Sequence, residues 1–394
     1  MENSSAVSLT SFGNAGQGGD DTQIIQMALN ATSVRGQTLE IPAGNYRVRP
    51  IYFPANSTVV ADPNVTVQAM PGYGENDRML NIVNVQNVSL TGTPGQSVFR
   101  MQKAEYTSGE YRHCLAINGA TNVRIDGIQC NDSGGDGVYI GDGLQQYSAD
   151  VQIKNSGFDN NRRQGMSVIS ARNLSISNCS FTNTSGTPPS GGIDIEPNLA
   201  SDSLENVTID SSRATGNAGN GITFGIERLN AGSAPVSIQV SNFSTQANGG
   251  SGFLASNGQD RMGLSVPGNV TVSNSTSTND TQYGALVSYW DTGGTSLVFQ
   301  NLTVVNPNRW HNNVDNAAIA VKRGGGDVNL MGNVHFIGTS ISDSNGNLDT
   351  YFTVRDWSRV GITQVQFIDS RALSGARHNT SLLSGVPTAV INVP

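Results

Sequence analysis

A four-residue motif recurs along the chain: a glycine, an apolar residue, a variable residue and a second apolar one. It reads Gly137-Val138-Tyr139-Ile140, Gly165-Met166-Ser167-Val168, Gly192-Ile193-Asp194-Ile195, Gly221-Ile222-Thr223-Phe224, Gly252-Phe253-Leu254-Ala255 and Gly284-Ala285-Leu286-Val287. The lead glycines stand 28, 27, 29, 31 and 32 residues apart. Weaker copies are Cys114-Leu115-Ala116-Ile117, Ala318-Ile319-Ala320-Val321 and Tyr351-Phe352-Thr353-Val354. Apolar residues two apart mark a short strand with one buried face. A second strand in each interval opens on asparagine, as in Asn122-Val123-Arg124-Ile125 and Asn206-Val207-Thr208-Ile209. A third follows closely, as in Cys179-Ser180-Phe181, and Gly, Asn, Asp and Ser separate them. Three short strands per repeat, with no helix between, predict an all-β solenoid: a parallel β-helix of about ten coils.

The ends depart from the repeat. Asp20 to Leu29 carries the best helical pattern, with Asp20 as cap and Gln23 at the capping-box position. This helix is expected to plug the N-terminal end of the tube. The organisation read from sequence is a cap segment over 1–45, a β-helix over 46–375 and a tail over 376–394, one structural domain overall.

Composition narrows the function classes. Glycine numbers 46 of 394 residues, but with no three-residue period, which excludes collagen. The net charge of −8 argues against nucleic acid, whose partners present a basic stripe. No apolar run is long enough to span a bilayer, so no membrane partner is expected. Cys114, Cys130 and Cys179 are odd in number, with no CxxC pair, and read as buried small apolar residues. The opening Met1-Glu2-Asn3-Ser4-Ser5 is no signal peptide and reads like a start placed on a trimmed mature chain. A secreted site, extracellular or periplasmic, is expected. The sixteen Asn-x-Ser/Thr triplets are explained first by asparagine in turns, not by glycosylation.

Stacking turns the repeat into a map. With the lead glycine as position one, positions three and five face outward. Position three holds Ala116, Tyr139, Ser167, Asp194, Thr223, Leu254, Leu286, Ala320 and Thr353. Position five includes Asn118, Gly141, Glu196, Gly225, Lys322 and Arg355. Asp142, Glu227, Tyr289, Trp290, Asp291, Arg323, Asp356 and Trp357 follow along that edge, and the turns before it bring Arg112, His113, Arg162, Arg163, Trp310 and His311. One outer face thus gathers carboxylates, guanidinium groups and aromatic rings, which suits a glycan groove.

Asp194 and Glu196 are the sharpest feature. Two apart on one strand, they point the same way with Cα atoms roughly 6.5–7 Å apart. Two carboxylates so close resist joint ionisation, and a protonated acid beside an ionised base is what glycoside hydrolysis uses. No cofactor is called for. The other use of these acidic positions is a Ca²⁺ site with Asp142 and Glu227. Arg162 and Arg163 are placed to bind a carboxylate or sulfate. Tyr139, Tyr289, Trp290, Lys322 and Arg323 would extend the groove. His113 and His311 read as surface or structural residues.

The opening Phe12-Gly13-Asn14, Gly18-Gly19-Asp20-Asp21-Thr22-Gln23-Ile24-Ile25-Gln26 and Ile41-Pro42-Ala43-Gly44-Asn45-Tyr46 resembles the start of the pectate-lyase-like superfamily. With the coil repeats, the resemblance covers most of the chain. It implies a right-handed parallel β-helix acting on a polysaccharide or oligosaccharide. The acidic pair is similar to that of the β-helical iota-carrageenases, with Asp and Glu in reversed order, which implies a hydrolase with Asp194 and Glu196 as catalytic residues. A rival likeness is to mannuronan C5-epimerases: Asp194 matches the Asp of their Asp-Pro-His-Glu motif, but Glu196 stands where their His does. It implies a uronate lyase or epimerase in which Arg162 or Arg163 neutralises the carboxylate and Tyr139 donates a proton, with no Lys at positions three or five of adjacent coils to serve as base. The leading expectation is a glycoside hydrolase. Behind it stand the lyase or epimerase and a non-catalytic, tail-spike-like glycan-binding rod.

Overall fold

The computed structural model describes residues 5–257, 266–310, 316–323 and 331–356, and strand segments 365–368, 371–374, 381–382 and 390–391; at Arg323 and from 355 onward only backbone is described. The chain forms a parallel β-solenoid of about eleven turns, in two compact units, 1–190 and 191–394.

In the first unit three sheets run along the coil. One joins Thr38–Ile41, Thr58–Ala61, Gln86–Thr91, Thr121–Asp126, Ser148–Lys154 and Ala171–Ser177. A second joins Gly44–Val48, Val65–Ala69, Ser97–Arg100, Ile128–Asn131, Gly157–Asp159 and Ser180–Thr182. The third, called here the site sheet, joins Ile51–Tyr52, Leu80–Val83, Leu115–Asn118, Val138–Gly141 and Gln164–Val168. In the second unit the corresponding sheet joins Gly191–Ile195, Ile222–Gly225, Phe253–Ser256, Ala285–Ser288, Ala317–Arg323 and Thr350–Asp356. Pairing begins before residue 46, because Thr38–Ile41 and Gly44–Val48 already belong to sheets.

The registers follow the alternation of the sequence. Ala116 pairs with Tyr139 and Tyr139 with Ser167. In the second unit Asp194 pairs with Thr223, then Leu254, Leu286, Ala320 and Thr353 in turn. Even positions go inside: Val138, Ile140, Ile193, Ile195, Ile222 and Phe224 are all buried. Like side chains then stack, as Phe158 does on Phe181 at 5.2 Å and Phe299 on Phe336 at 4.7 Å.

Two residue types make the coil close. A Cβ on Gly221 would lie 2.6 Å from the Gly252 carbonyl oxygen, so the lead position has no room for a side chain. Asparagine holds turns in the left-handed region: Asn56, Asn87 and Asn122 have φ of 64°, 60° and 56°. Their amides form a ladder, Asn122 donating to Asn87 and Asn87 to Asn56, each at 2.8 Å. The same conformation recurs at Asn173, Asn206 and Asn301. Many of the Asn-x-Ser/Thr triplets thus have a backbone reason.

The N-terminal helix spans Thr22–Arg35, ending six residues beyond its apolar pattern, and is closed by Gly36 in the left-handed conformation. Its cap also differs from expectation. Asp21 occupies the cap position but accepts from Gly16 N–H at 2.9 Å and Arg47 N–H at 3.0 Å, while Asp20 accepts from Thr22 N–H. Ile25 and Leu29 line a small interior cavity with Ile41, Ile51, Phe53, Val59 and Val67, so the helix does close the core of the first coils. The three cysteines are free and buried. No helix among the described residues is long and apolar enough to cross a membrane.

Candidate active site

The site is built in the first unit, on the edge where each coil enters the site sheet. Extending the register Leu80, Leu115, Val138, Met166 two residues backward stacks Arg78, His113, Asp136 and Gln164 in consecutive coils. Backbone bonds hold this column: Met79 N–H donates to the His113 carbonyl, Cys114 to Asp136 and Gly137 to Gln164. All four polar residues therefore stand one place ahead of the lead position.

His113 is 1% exposed and Asp136 is fully buried. His113 Nδ1 accepts the Asp136 amide N–H at 3.0 Å and lies 3.3 Å from Asp136 Oδ2. The imidazole stacks on the Tyr139 ring, centroids 4.7 Å apart and planes at 17°. The Arg78 guanidinium lies 5.9 Å from the centroid of that ring, and Tyr111 meets His113 edge-on at 6.3 Å. Arg163 places Nη1 3.7 Å from Asp136 Oδ1 and 3.4 Å from Ser167 Oγ, and Nε 3.2 Å from Glu110 Oε2.

Burial dominates the electrostatics. It raises the Asp136 carboxyl from its usual range to about 7, outweighing the opposing pull of Arg163, Ser167 and the Gln164 amide. Burial also depresses His113 well below an ordinary imidazole, and the guanidinium groups of Arg78 and Arg163 add to that. Among the buried polar atoms of this cluster without a hydrogen-bond partner are His113 Nε2, Arg78 Nε and both carboxyl oxygens of Asp136.

The residues expected from sequence divide. Tyr139 and Arg163 meet in this cluster. Arg162 does not: its guanidinium donates to Gly109 O at 3.0 Å, to Thr107 O at 2.8 Å and to the Thr187 hydroxyl. These bonds use three of its five N–H groups and pin the 103–113 excursion, the stretch between strands Ser97–Arg100 and Leu115–Asn118. Asp142 lies partly exposed just beyond Val138–Gly141, its carbonyl accepting from Asn118.

In the second unit, Asp194 has the outward parity predicted but is only 3% exposed, whereas Glu196 is partly exposed beside Gly225. Glu227 lies 3.8 Å from Arg228. Trp290 corrects the sequence reading. It is 1% exposed, with its indole N–H on Thr295 O at 2.8 Å, so the ring packs in the core and offers no face to a sugar. Asp291 caps a turn by accepting from Gly293 N–H, and Tyr289 holds a turn at φ 53°. Lys322 donates to the Tyr283 hydroxyl above that buried ring. Trp310 is 63% exposed. His311 and Trp357, and the side chains of Arg323, Arg355 and Asp356, lie outside the described residues. No group of three His, Cys, Asp or Glu among the described residues is arranged to hold a metal.

Sequence reasoning missed Asp136, Arg78 and the burial of His113. Asp136 was hidden in the run Gly134-Gly135-Asp136-Gly137, which reads as a turn. The signal was parity: a position two residues before an inward one is itself inward, and a charged group there needs a reason.

Residues 81–260 match the family model for the right handed beta helix region. A curated relative, the uncharacterized protein YclG of Bacillus subtilis (strain 168), is 24% identical over 238 residues, 52% of this chain; the match spans 40% of that relative's length. Among solved structures, the A-module of mannuronan C-5 epimerase AlgE4 from Azotobacter vinelandii superposes with TM-score 0.72 and 14% identity over 98% of this chain and 99% of that one. A family 28 exopolygalacturonase from Yersinia enterocolitica gives TM-score 0.69 and 13% identity over 99% and 78%. Pre-mature gene product 12 of bacteriophage phi29 gives TM-score 0.72 and 17% identity over 98% of this chain and 52% of that chain. The shared fold is the right-handed parallel β-helix.

Proposed function

We propose that this protein is an enzyme acting on an acidic polysaccharide, and that its reaction centre is Tyr139 with Arg78 and Arg163 around it. The observation that carries this is one partly exposed phenol stacked on a buried imidazole, with the Arg78 guanidinium 5.9 Å from the phenol ring and Arg163 beside the adjoining Asp136. Such a site fits proton removal from the carbon beside a uronate carboxylate. Arg78 and Arg163 bind the carboxylate and take up charge as the C–H bond breaks. The Tyr139 oxygen, entering as phenolate, accepts the proton and becomes a phenol. In elimination the glycosidic C–O bond then breaks, a C=C bond forms and the phenol returns its proton to the leaving oxygen. In epimerisation water supplies a proton to the carbon on the opposite face. The likeness in fold to an epimerase module and a polygalacturonase supports a glycan as substrate, and a polymeric glycan fits a secreted enzyme.

Hydrolysis is the second reading. It is favoured by the buried Asp194 with the partly exposed Glu196 at the next outward position. A panel of neutral and acidic glycans separates the two. Ultraviolet absorbance of unsaturated uronate, or proton NMR showing epimerised sugar, supports the proton-transfer reading. New reducing ends without absorbance on neutral glycans would replace it with hydrolysis.

A further inference from the structure

The contact between His113 and Asp136 looks at first like an imidazolium–carboxylate pair. The hydrogen bonds say otherwise. His113 Nδ1 accepts the Asp136 amide N–H at 3.0 Å, so this nitrogen presents a lone pair. An imidazolium would carry a proton there and leave that buried amide without an acceptor, at a cost of about 1–3 kcal/mol. A neutral His113 then keeps its proton on Nε2. Asp136 Oδ2 at 3.3 Å from the same lone pair would face it acceptor to acceptor if ionised. A proton on the carboxyl removes that repulsion.

The charges around the pair agree. From the coil before comes Arg78, beside His113 and over Tyr139; from the coil after comes Arg163, near Asp136 and tied to Glu110. Two guanidinium groups disfavour a third cation at His113. Of the two positions for the shared proton, Asp136 is the favoured one.

We infer that Asp136 is a positioning residue: its main-chain amide fixes His113 as the Nε2–H tautomer on which the Tyr139 ring is seated, and its side chain packs against that imidazole as a neutral carboxylic acid. Above neutral pH the acid ionises and becomes a rival to Glu110 for Arg163, which lies within 4 Å of both. The seat of Tyr139 and the placing of Arg163 are then lost together. Its bearing on catalysis rests on the reaction proposed above; the tautomer does not.

The test is long-range ¹H–¹⁵N NMR of the full chain labelled in histidine, with the His113 signals assigned by His113→Gln. From about pH 5 to about pH 7, His113 is expected to show the Nε2–H pattern without becoming an imidazolium. Asp136→Asn, an uncharged isostere, and Asp136→Ala, which retains the main-chain amide, should both keep that pattern. An imidazolium at neutral pH in the unmodified protein would overturn the inference, and that spectrum decides even if Asp136→Ala fails to fold. With a responsive glycan, Asp136→Asn should restore the kcat lost in Asp136→Ala and remove the fall in kcat above about pH 7. An Asn variant as impaired as the Ala variant would overturn the positioning role. Silence on every glycan would instead sink the proposed reaction and leave the tautomer to the NMR result.

Discussion

Substituting Asp136 by Asn should make the protein sensitive to acid, although it removes an acid. Below pH 6.5, and above both 3.8 and the depressed value of the buried His113, the native pair holds one proton, on Asp136, whose carboxyl is raised to about 7. The unfolded chain also holds one proton at these two residues, on His113, with an ordinary value of 6.5, while its Asp136, with an ordinary value of 3.8, is ionised. The two linkages have opposite signs. Asp136, raised in the fold, makes stability fall as pH rises from 3.8 to about 7. His113, depressed in the fold, makes stability rise with pH up to 6.5. Proton counts match in that window, so the pair contributes no slope. Asn removes the Asp136 linkage and leaves that of His113 alone. Stability of Asp136→Asn should then fall relative to the parent by up to about 1.4 kcal/mol per pH unit below 6.5, for as long as native His113 stays neutral. His113→Gln should show the mirror image, losing stability as pH rises from about 4.5 to about 7. Urea unfolding of the three proteins at matched pH values gives the slopes, and other ionisable groups cancel in the differences. Parallel curves for parent and Asn variant would refute the protonation states assigned to the pair.

Three further substitutions test how the solenoid closes. Gly221→Ala should cost about 1–3 kcal/mol, because its Cβ meets the Gly252 carbonyl oxygen at 2.6 Å; a rise in melting temperature would contradict this. Asn122→Ala should cost about 1–2 kcal/mol through the left-handed backbone and the lost amide bond to Asn87, and Asn122→Gly should cost less than Ala in the same unfolding assay. Phe299→Ala should cost about 3–5 kcal/mol, since the ring is buried and stacked between turns of the second unit.

The coil was legible because its determinants are local. The lead glycine, the alternation behind it and asparagine in the turns each encode one step of the winding, and the position-three column follows from counting. Tyr139 and Ser167 pair in one column as that count requires, though Ser167 is buried where the count expected an outward face. The site was legible only in part, because burial is not local. Trp290 reads as an exposed ring by position, yet the Asp291–Met331 bridge and the Thr295 carbonyl enclose it. Arg162 and Arg163 are neighbours with different tasks, one pinning the 103–113 excursion, the other reaching Asp136 and Glu110. That excursion carries Glu110 and Tyr111 to the cluster, and no periodic pattern marks it. Arg78 joins through a coil whose strand, Leu80-Asn81-Ile82-Val83, lacks the lead glycine that flags the others.

The most direct measurement follows a uronate-containing polysaccharide treated with the parent protein, with Tyr139→Phe and with Glu196→Gln. Ultraviolet absorbance, reducing ends and proton NMR are read on the same samples. A reaction centred on Tyr139 predicts unsaturated or epimerised uronate from the parent, a loss of about 100-fold or more in Tyr139→Phe and near-parental turnover in Glu196→Gln. New reducing ends without unsaturation, abolished in Glu196→Gln and retained in Tyr139→Phe, would contradict it and return the chemistry to the carboxylates.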